Sequence, residues 1–155
     1  MNRYTFIKTD NDRMTILIRF MVGVVFISEG IQKFVYAESL GAGRFETIGI
    51  PFPEVMAFVV GGLEIVCGLM VLVGFYTRIA SVPLITIMIV AIFTTKIPIL
   101  IGSEFLGFSL RPLQNYGILS MLHESRTDLA MLIGSLYVLI KGGGKWSIDR
   151  NRYAR

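Results

Sequence analysis

The sequence predicts an all-α protein, a bundle of four transmembrane helices with both termini in the cytoplasm. Hydrophobic residues make up 54 % of the 155 residues and charged residues only 17 %, against about 25 % charged residues in an ordinary globular domain. Four segments are long and apolar enough to cross a bilayer, and most basic residues flank them on one side. A chain of this length is expected to form a single membrane domain over residues 1–155.

Composition also limits the classes of function. The net charge of +4 would suit a nucleic-acid partner, but the basic residues cluster at the two ends of the chain, so no nucleic acid is expected. Cys67 is the only cysteine and His123 the only histidine. These counts exclude an intramolecular disulfide, a CxxC redox pair, a cysteine zinc site and bis-histidine haem ligation.

The first three spans follow from long apolar runs, since a bilayer core of about 30 Å requires roughly 20 apolar residues in a helix. They are predicted over about residues 14–36, 54–76 and 79–101. The first run has a basic leader but no small-x-small cleavage site after it, so we interpret it as an uncleaved span. Pro98 is expected to bend or end the third helix just after Lys96.

The fourth helix is predicted over about residues 119–141, although its uninterrupted apolar run covers only residues 129–140. If this helix crosses the membrane, protein or water must shield the polar turns from His123 to Asp128. The alternative is a capping box at Ser125–Asp128 that opens a shorter helix.

Basic residues in the flanks predict the orientation. Most of them lie in the N-terminal segment, the turn after the second span and the C-terminal tail: Arg3, Lys8, Arg13, Arg78, Lys141, Lys145, Arg150, Arg152 and Arg155. The two long loops, about residues 37–53 and 102–118, contain only Arg44 and Arg111. Both termini are therefore expected in the cytoplasm, and both loops are expected to face outward.

Ionisable side chains inside the spans are the main indication of a site, because each costs roughly 2.5–3.5 kcal/mol near a helix centre on translocon scales. They balance in sign, and His123 lies among them: Arg19, Glu29, Lys33, Glu64, Lys96, Glu124, Arg126 and Asp128. All but Arg19 lie toward the outer ends, so we expect them to line a polar pocket that opens outward. The alternative is that they only pair and fix helix register, or reach the headgroups.

Helical spacing supports interior positions for these charges. Glu29 and Lys33 are spaced i, i+4 and are expected to pair. The second span carries Glu64 on one face with small residues that allow close packing: Ala57, Gly61 and Gly68. A similar face on the fourth helix combines His123, Thr127, Ala130 and Gly134.

Several chemistries are disfavoured by the residues. Carboxylates with one histidine would suit iron or manganese, but no Glu-x-x-His occurs, so no metal is expected. Cys67 lies in an apolar helix and no nucleophile-elbow motif is present, so no catalytic residue is identified. Three functions stay open: binding a quinone, binding a lipid or hydrophobic solute, and proton movement through Glu29, Glu64 and His123.

The chain resembles the DoxX family of small four-helix membrane proteins over nearly its whole length. The similarity lies in six segments: RFMVGVVFISEGIQKF (residues 19–34), GAGRFETIGIP (41–51), GGLEIVCG (61–68), TRIA (77–80), TTKIP (94–98) and HESRTDLA (123–130). Carried over by position, the family's motif residues are Arg19, Gly23, Gly30, Lys33, Gly43, Arg44, Phe45, Glu64, Lys96, Pro98, His123, Glu124, Arg126 and Asp128. One departure is Glu29, where many members have histidine.

The resemblance implies a multi-pass protein of the bacterial cytoplasmic membrane, with the lipid bilayer as its surroundings. Named members are linked to quinone-coupled sulfur oxidation and to membrane oxidoreductase assemblies. We therefore expect an accessory subunit of a quinone-linked redox system, with quinone as its cofactor and redox proteins as partners; a homo-oligomer is compatible with the sequence. The alternative is a binding, transport or scaffolding protein for a lipid-like solute or partner protein, without redox activity.

Overall fold

A computed structural model describes residues 9–153 of the chain, and this part is helical, without a β-strand beyond a single bridge between Phe105 and Phe108. The helices are α1 (Thr15–Val35), α2 (Ala42–Ile48), α3 (Pro53–Val73), α4 (Thr77–Ala91), α5 (Ile97–Ile101), α6 (Ile118–Lys141) and α7 (Ile148–Tyr153). A π-helical segment, Ile92–Lys96, joins α4 to α5. The four long predicted helices are thus present, whereas α2 and α7 were not predicted.

The bundle consists of two hairpins, α1 with α3 and α4 with α6, and each hairpin packs more extensively within itself than on the other. Glycine lets α1 and α3 approach closely: a Cβ atom at Gly30 would lie 2.7 Å from the carbonyl oxygen of Gly61. The predicted small face of α3 is confirmed, because Gly61, Glu64 and Gly68 are all buried. The core between the hairpins is apolar, with Val22 and Leu84 fully buried.

The fourth long helix buries a different face from the predicted one. Of the expected set only Gly134 is buried, where it packs on Val22 of α1. His123, Thr127 and Ala130 are exposed. The buried side is instead formed by residues that face α4 and the core: Ser125, Met131, Ser135 and Val138.

The start of α1 and the end of α6 meet at one end of the bundle, which we call the inner end; the opposite end is the outer end. The Asp10 backbone N–H donates to the Lys141 carbonyl over 3.0 Å, and Lys141 Nζ lies 3.0 Å from Asp10 Oδ2. Among the flanking basic residues used to predict orientation, Arg3, Lys8 and Arg155 and the side chain of Arg152 lie outside the described residues.

Pro98 was expected to bend or end the third span just after Lys96; the structure shows a π-helical turn before it, and the helix continues through it as α5. Proline lacks the N–H that would continue the ladder, and the Ile97 N–H donates five residues back, to the Ile92 carbonyl. The Thr94 and Thr95 hydroxyls donate to the carbonyls of Val90 and Ala91 one turn earlier. Single π turns inside α-helices are frequent at functional sites, and this one places Lys96.

Three helical segments among the described residues are long and apolar enough to cross a membrane: Thr15–Val35, Pro53–Val73 and Thr77–Ile101. Large apolar side chains on them remain exposed, including Leu17, Phe58 and Val82. A surface of this kind belongs in lipid rather than in water. The 24 residues of α6 are also long enough, but their first half carries the charges from His123 to Asp128.

Candidate functional site

A buried ion pair joins the two helices of the first hairpin toward the outer end. Lys33 Nζ on α1 lies 2.7 Å from Glu64 Oε2 on α3, and the two side chains are only 11 % and 2 % exposed. The approach of α1 to α3 through Gly30 brings these side chains together. The expected Glu29–Lys33 pair does not form, because Lys33 turns toward the more deeply buried Glu64 while Glu29 stays exposed.

A second ion pair joins the second hairpin at a corresponding place. Lys96 Nζ lies 3.1 Å from Asp128 Oδ2 on α6, with side-chain exposures of 8 % and 24 %. Lys96 is the last residue of the π-helical segment. In both hairpins, therefore, a lysine near the outer end of the outgoing helix pairs with a carboxylate on the returning helix.

The remaining charges of α6 lie nearer the surface. Glu124 Oε2 accepts a hydrogen bond from the Arg111 guanidinium over 3.2 Å, in a pair whose arginine is 64 % exposed. The Arg126 guanidinium donates to His123 Nε2 over 2.6 Å and to the His123 carbonyl over 3.0 Å. His123 and Arg126 are both exposed, and their contact lies within one helix.

A cavity of about 460 Å³ lies at the outer end between the loops of the two hairpins. Among the described residues, three cationic side chains line it, namely Arg44, Lys96 and Arg111, and one carboxylate, Glu38. Hydroxyl side chains and apolar groups complete the wall, among them Ser39, Thr47, Ser109, Ile48, Ile99 and Leu110. Among residues 9–153, no group of three or more His, Cys, Asp or Glu side chains is placed to hold a metal ion.

The predicted loop motif is the helix α2, which covers this end of the bundle. A Cβ atom at Gly43 would collide with the carbonyl oxygen of Glu38, so only glycine allows α2 to lie this close to the end of α1. Arg44 lines the cavity and has no ion pair among the described residues. Phe45 does not line the cavity; its carbonyl accepts hydrogen bonds from the Gly49 and Ile50 N–H groups that end the helix.

Arg19 lies far from this group, at the inner end, and is only 2 % exposed. Its guanidinium donates to four backbone carbonyls over 2.7–2.9 Å: Val71, Leu72, Gly143 and Trp146. Two of these carbonyls, those of Val71 and Leu72, lie in the last turn of α3, where the helix dipole favours a cation. Arg19 therefore ties α1 to α3 and to the segment after α6.

Asp149 performs the complementary role and was missed from the sequence. It is buried, and its carboxylate accepts hydrogen bonds from the backbone N–H groups of Tyr76 and Thr77 and from the Thr77 hydroxyl, over 2.7–2.9 Å. These groups open α4, whose N-terminus favours an anion. The sequence offered one indication of this role, namely that Asp149 is a single acidic residue within the basic C-terminal tail.

Comparison with known proteins identifies the family. The family model for DoxX matches residues 14–97. The chain belongs to the DoxX family. An "Uncharacterized membrane protein" of Mycobacterium tuberculosis is 50 % identical to this DoxX protein over 135 residues, which cover 87 % of this chain and 78 % of the relative.

A second relative, "Putative oxidoreductase CatD" of Bacillus subtilis, is 34 % identical over 94 residues, covering 59 % of this chain and 67 % of that protein. No solved structure matches this DoxX chain significantly. The range matched by the family model includes the Lys33–Glu64 pair, α2 and Lys96, whereas Asp128 and the other charges of α6 lie beyond it.

Proposed function

We propose that this DoxX protein is a four-span accessory subunit of a quinone-linked redox system in the bacterial cytoplasmic membrane. Its role in this proposal is to hold a quinone headgroup at the outer end of the bundle, for a redox protein that binds alongside. The name of the Bacillus subtilis relative supports a redox context. The observation that carries the proposal is the cavity lined by Arg44, Lys96 and Arg111.

The membrane arrangement rests on α6 as a fourth span. At 1.5 Å per residue, its 24 residues measure about 36 Å, enough for a bilayer core of about 30 Å. Two of the three charged side chains in its polar first half have partners on other segments, since Glu124 pairs with Arg111 and Asp128 with Lys96. Basic residues at the inner end, Arg13, Arg78, Lys141, Lys145 and Arg150, outnumber Arg44 and Arg111 in the outer loops, which supports cytoplasmic termini.

The hydrogen-bond donors that line the cavity suit a quinone headgroup. Quinone oxygens only accept hydrogen bonds, and Arg44, Lys96 and Arg111 only donate them. Arg44 has no competing ion pair with any residue that the structure describes, and Lys96 keeps further N–H donors beside its bond to Asp128. The apolar wall formed by Ile48, Ile99 and Leu110 suits a ring, and a tail can continue into lipid.

The test is the extraction of bound molecules from protein purified gently in mild detergent, followed by mass spectrometry. Wild-type protein is expected to yield a near-stoichiometric isoprenoid quinone, and Lys96→Met to lose most of it. Lys145→Met is the matched control, because it removes a lysine at the inner end without touching the cavity.

Three results would contradict the proposal. They are the absence of quinone from wild-type protein, wild-type amounts of quinone in both variants, and an equal loss of quinone from both variants. A phospholipid recovered in place of quinone and lost in Lys96→Met would favour the binding alternative, since the same three cations suit a phosphate. Reporter fusions test the arrangement separately, because a periplasmic C-terminus would contradict four spans with cytoplasmic termini.

A further inference from the structure

The contact between α1 and α6 is closed at the inner end and open at the outer end. At the inner end, the Thr15 hydroxyl lies 3.3 Å from the Tyr137 hydroxyl, and Val22 packs on Gly134. Toward the outer end the side chains next along both helices are exposed, apart from the half-buried Gln32. The surface that we call the α1–α6 face consists of Ser28, Glu29 and Gln32 on α1 and His123, Arg126 and Ala130 on α6.

This face carries two charges that no other helix of the bundle neutralises. Glu29 is exposed and has no ion pair among residues 9–153. Arg126 is exposed and, within the part of the chain that the structure describes, hydrogen-bonds only to His123 on its own helix. In a membrane both would face the outer-leaflet half of the bilayer. Ionisable side chains at that depth almost always pair or face a protein interior, so a single copy of the chain leaves this face incomplete.

We propose that a second copy of this chain covers the α1–α6 face, in a two-fold dimer where Glu29 of each copy pairs with Arg126 of the other. A two-fold axis along the membrane normal keeps every residue at its own depth and makes both contacts identical. Glu29 lies six residues, about 9 Å, before the end of α1, and Arg126 eight residues, about 12 Å, after the start of α6. An arginine side chain spans this small difference in depth.

The rest of the face suits such a contact. Ser28 and Ala130 are small and exposed, which allows the backbones of two membrane helices to approach. The Gln32 side-chain amide nitrogen donates to the Ser28 hydroxyl and to the Ser28 carbonyl, whereas the side-chain oxygen of Gln32 accepts no hydrogen bond from the described residues and can accept one from a neighbour. The two charges give the interface opposite signs on its two helices, so it is complementary to its own copy.

The decisive experiment co-expresses two differently tagged copies and measures how much of one is recovered with the other in mild detergent. Wild-type copies are expected to co-purify. Glu29→Arg or Arg126→Glu in both copies is expected to lower recovery roughly tenfold or more, because like charges then meet at both contacts. A Glu29→Arg copy mixed with an Arg126→Glu copy is expected to recover wild-type yield, because opposite charges meet at both contacts again.

The mixed pair also separates this proposal from a contact within one copy, which mixing cannot repair. Glu46→Arg, on exposed α2, is the control for charge reversal as such, and elution as a single monodisperse peak shows that each variant is folded. If reversal blocks folding, Glu29→Gln in both copies or Arg126→Gln in both copies is expected to lower recovery, and mixing the two variants is expected to restore it in part, because one of the two Glu29–Arg126 contacts then re-forms. Monomeric wild-type protein would overturn the proposal, and so would single variants that co-purify as well as wild type. Variants that lose a bound lipid while one copy is still recovered with the other at the wild-type level would also overturn it.

Discussion

The substitution Gly30→Ala tests whether the first hairpin depends on close backbone contact. The new Cβ atom would lie 2.7 Å from the Gly61 carbonyl oxygen and 2.7 Å from Ile65 Cγ1. The carbonyl belongs to the backbone of α3, so no rotamer change relieves it and the helices must separate. Overpacking of this kind costs about 1–3 kcal/mol, whereas alanine in place of glycine inside a helix contributes at most about 1 kcal/mol in return.

Gly62→Ala is the matched control, because a Cβ atom there meets nothing within 4 Å. The same gain in helix propensity should leave Gly62→Ala neutral or slightly stabilising, so the two variants are expected to differ by about 1–3 kcal/mol. Reversible unfolding in mixed micelles, followed by helical circular dichroism, measures the difference. Equal stability of the two variants would refute the close contact that also places the Lys33–Glu64 pair.

Three further predictions concern charged groups. Glu64→Gln leaves Lys33 buried without its counter-charge and should destabilise the protein by about 3–5 kcal/mol, with a double apolar replacement of the pair costing less in the same unfolding assay. Asp149→Asn should lower stability by about 1–3 kcal/mol, because charged hydrogen bonds at the start of α4 are lost. The hydrogen bond from the Met14 backbone N–H lowers the pKa of Asp12 in the folded protein. The ionised Asp12 carboxylate therefore contributes its full stabilisation above the usual pKa of about 3.9, and this stabilisation is lost as the pH falls below that value. Unfolding curves for Asp12→Asn should not show this pH-dependent loss.

The long helices were predictable because the apolar run that a bilayer requires is a local property of the sequence. Their bounds differ from the prediction where partners distant in the chain act. The second span ends at Val73, since Gly74 adopts a left-handed conformation with φ of 79°, and α4 begins at Thr77 because Asp149 caps it. Helix α2 was not predicted, because its glycines indicate a loop unless the nearby end of α1 is known.

The charges show the same division between local and distant information. Spacing along one helix suggested that Lys33 pairs with Glu29, but burial of Glu64 on another helix decides the partner. Arg19 was expected among the ionic residues, yet its partners are backbone carbonyls, which no pattern of side chains reveals. The lysine of the π-helical segment lies at the end of the bundle opposite to the start of α1, and the turn that directs it to Asp128 precedes Pro98.

At the outer end the ion pairs lie within the hairpins, whereas the charges of Glu29 and Arg126 lie between them. Lys33–Glu64 and Lys96–Asp128 each fasten one hairpin near its outer end, so neither pair holds the two hairpins together there. At the inner end, by contrast, Arg19 and the C-terminal segment connect both hairpins through buried hydrogen bonds. The cavity and the α1–α6 face are both seams between hairpins at the outer end. A ligand or a second copy that binds at a seam adds the contacts that the isolated chain lacks, which is why both proposals concern this end of the molecule.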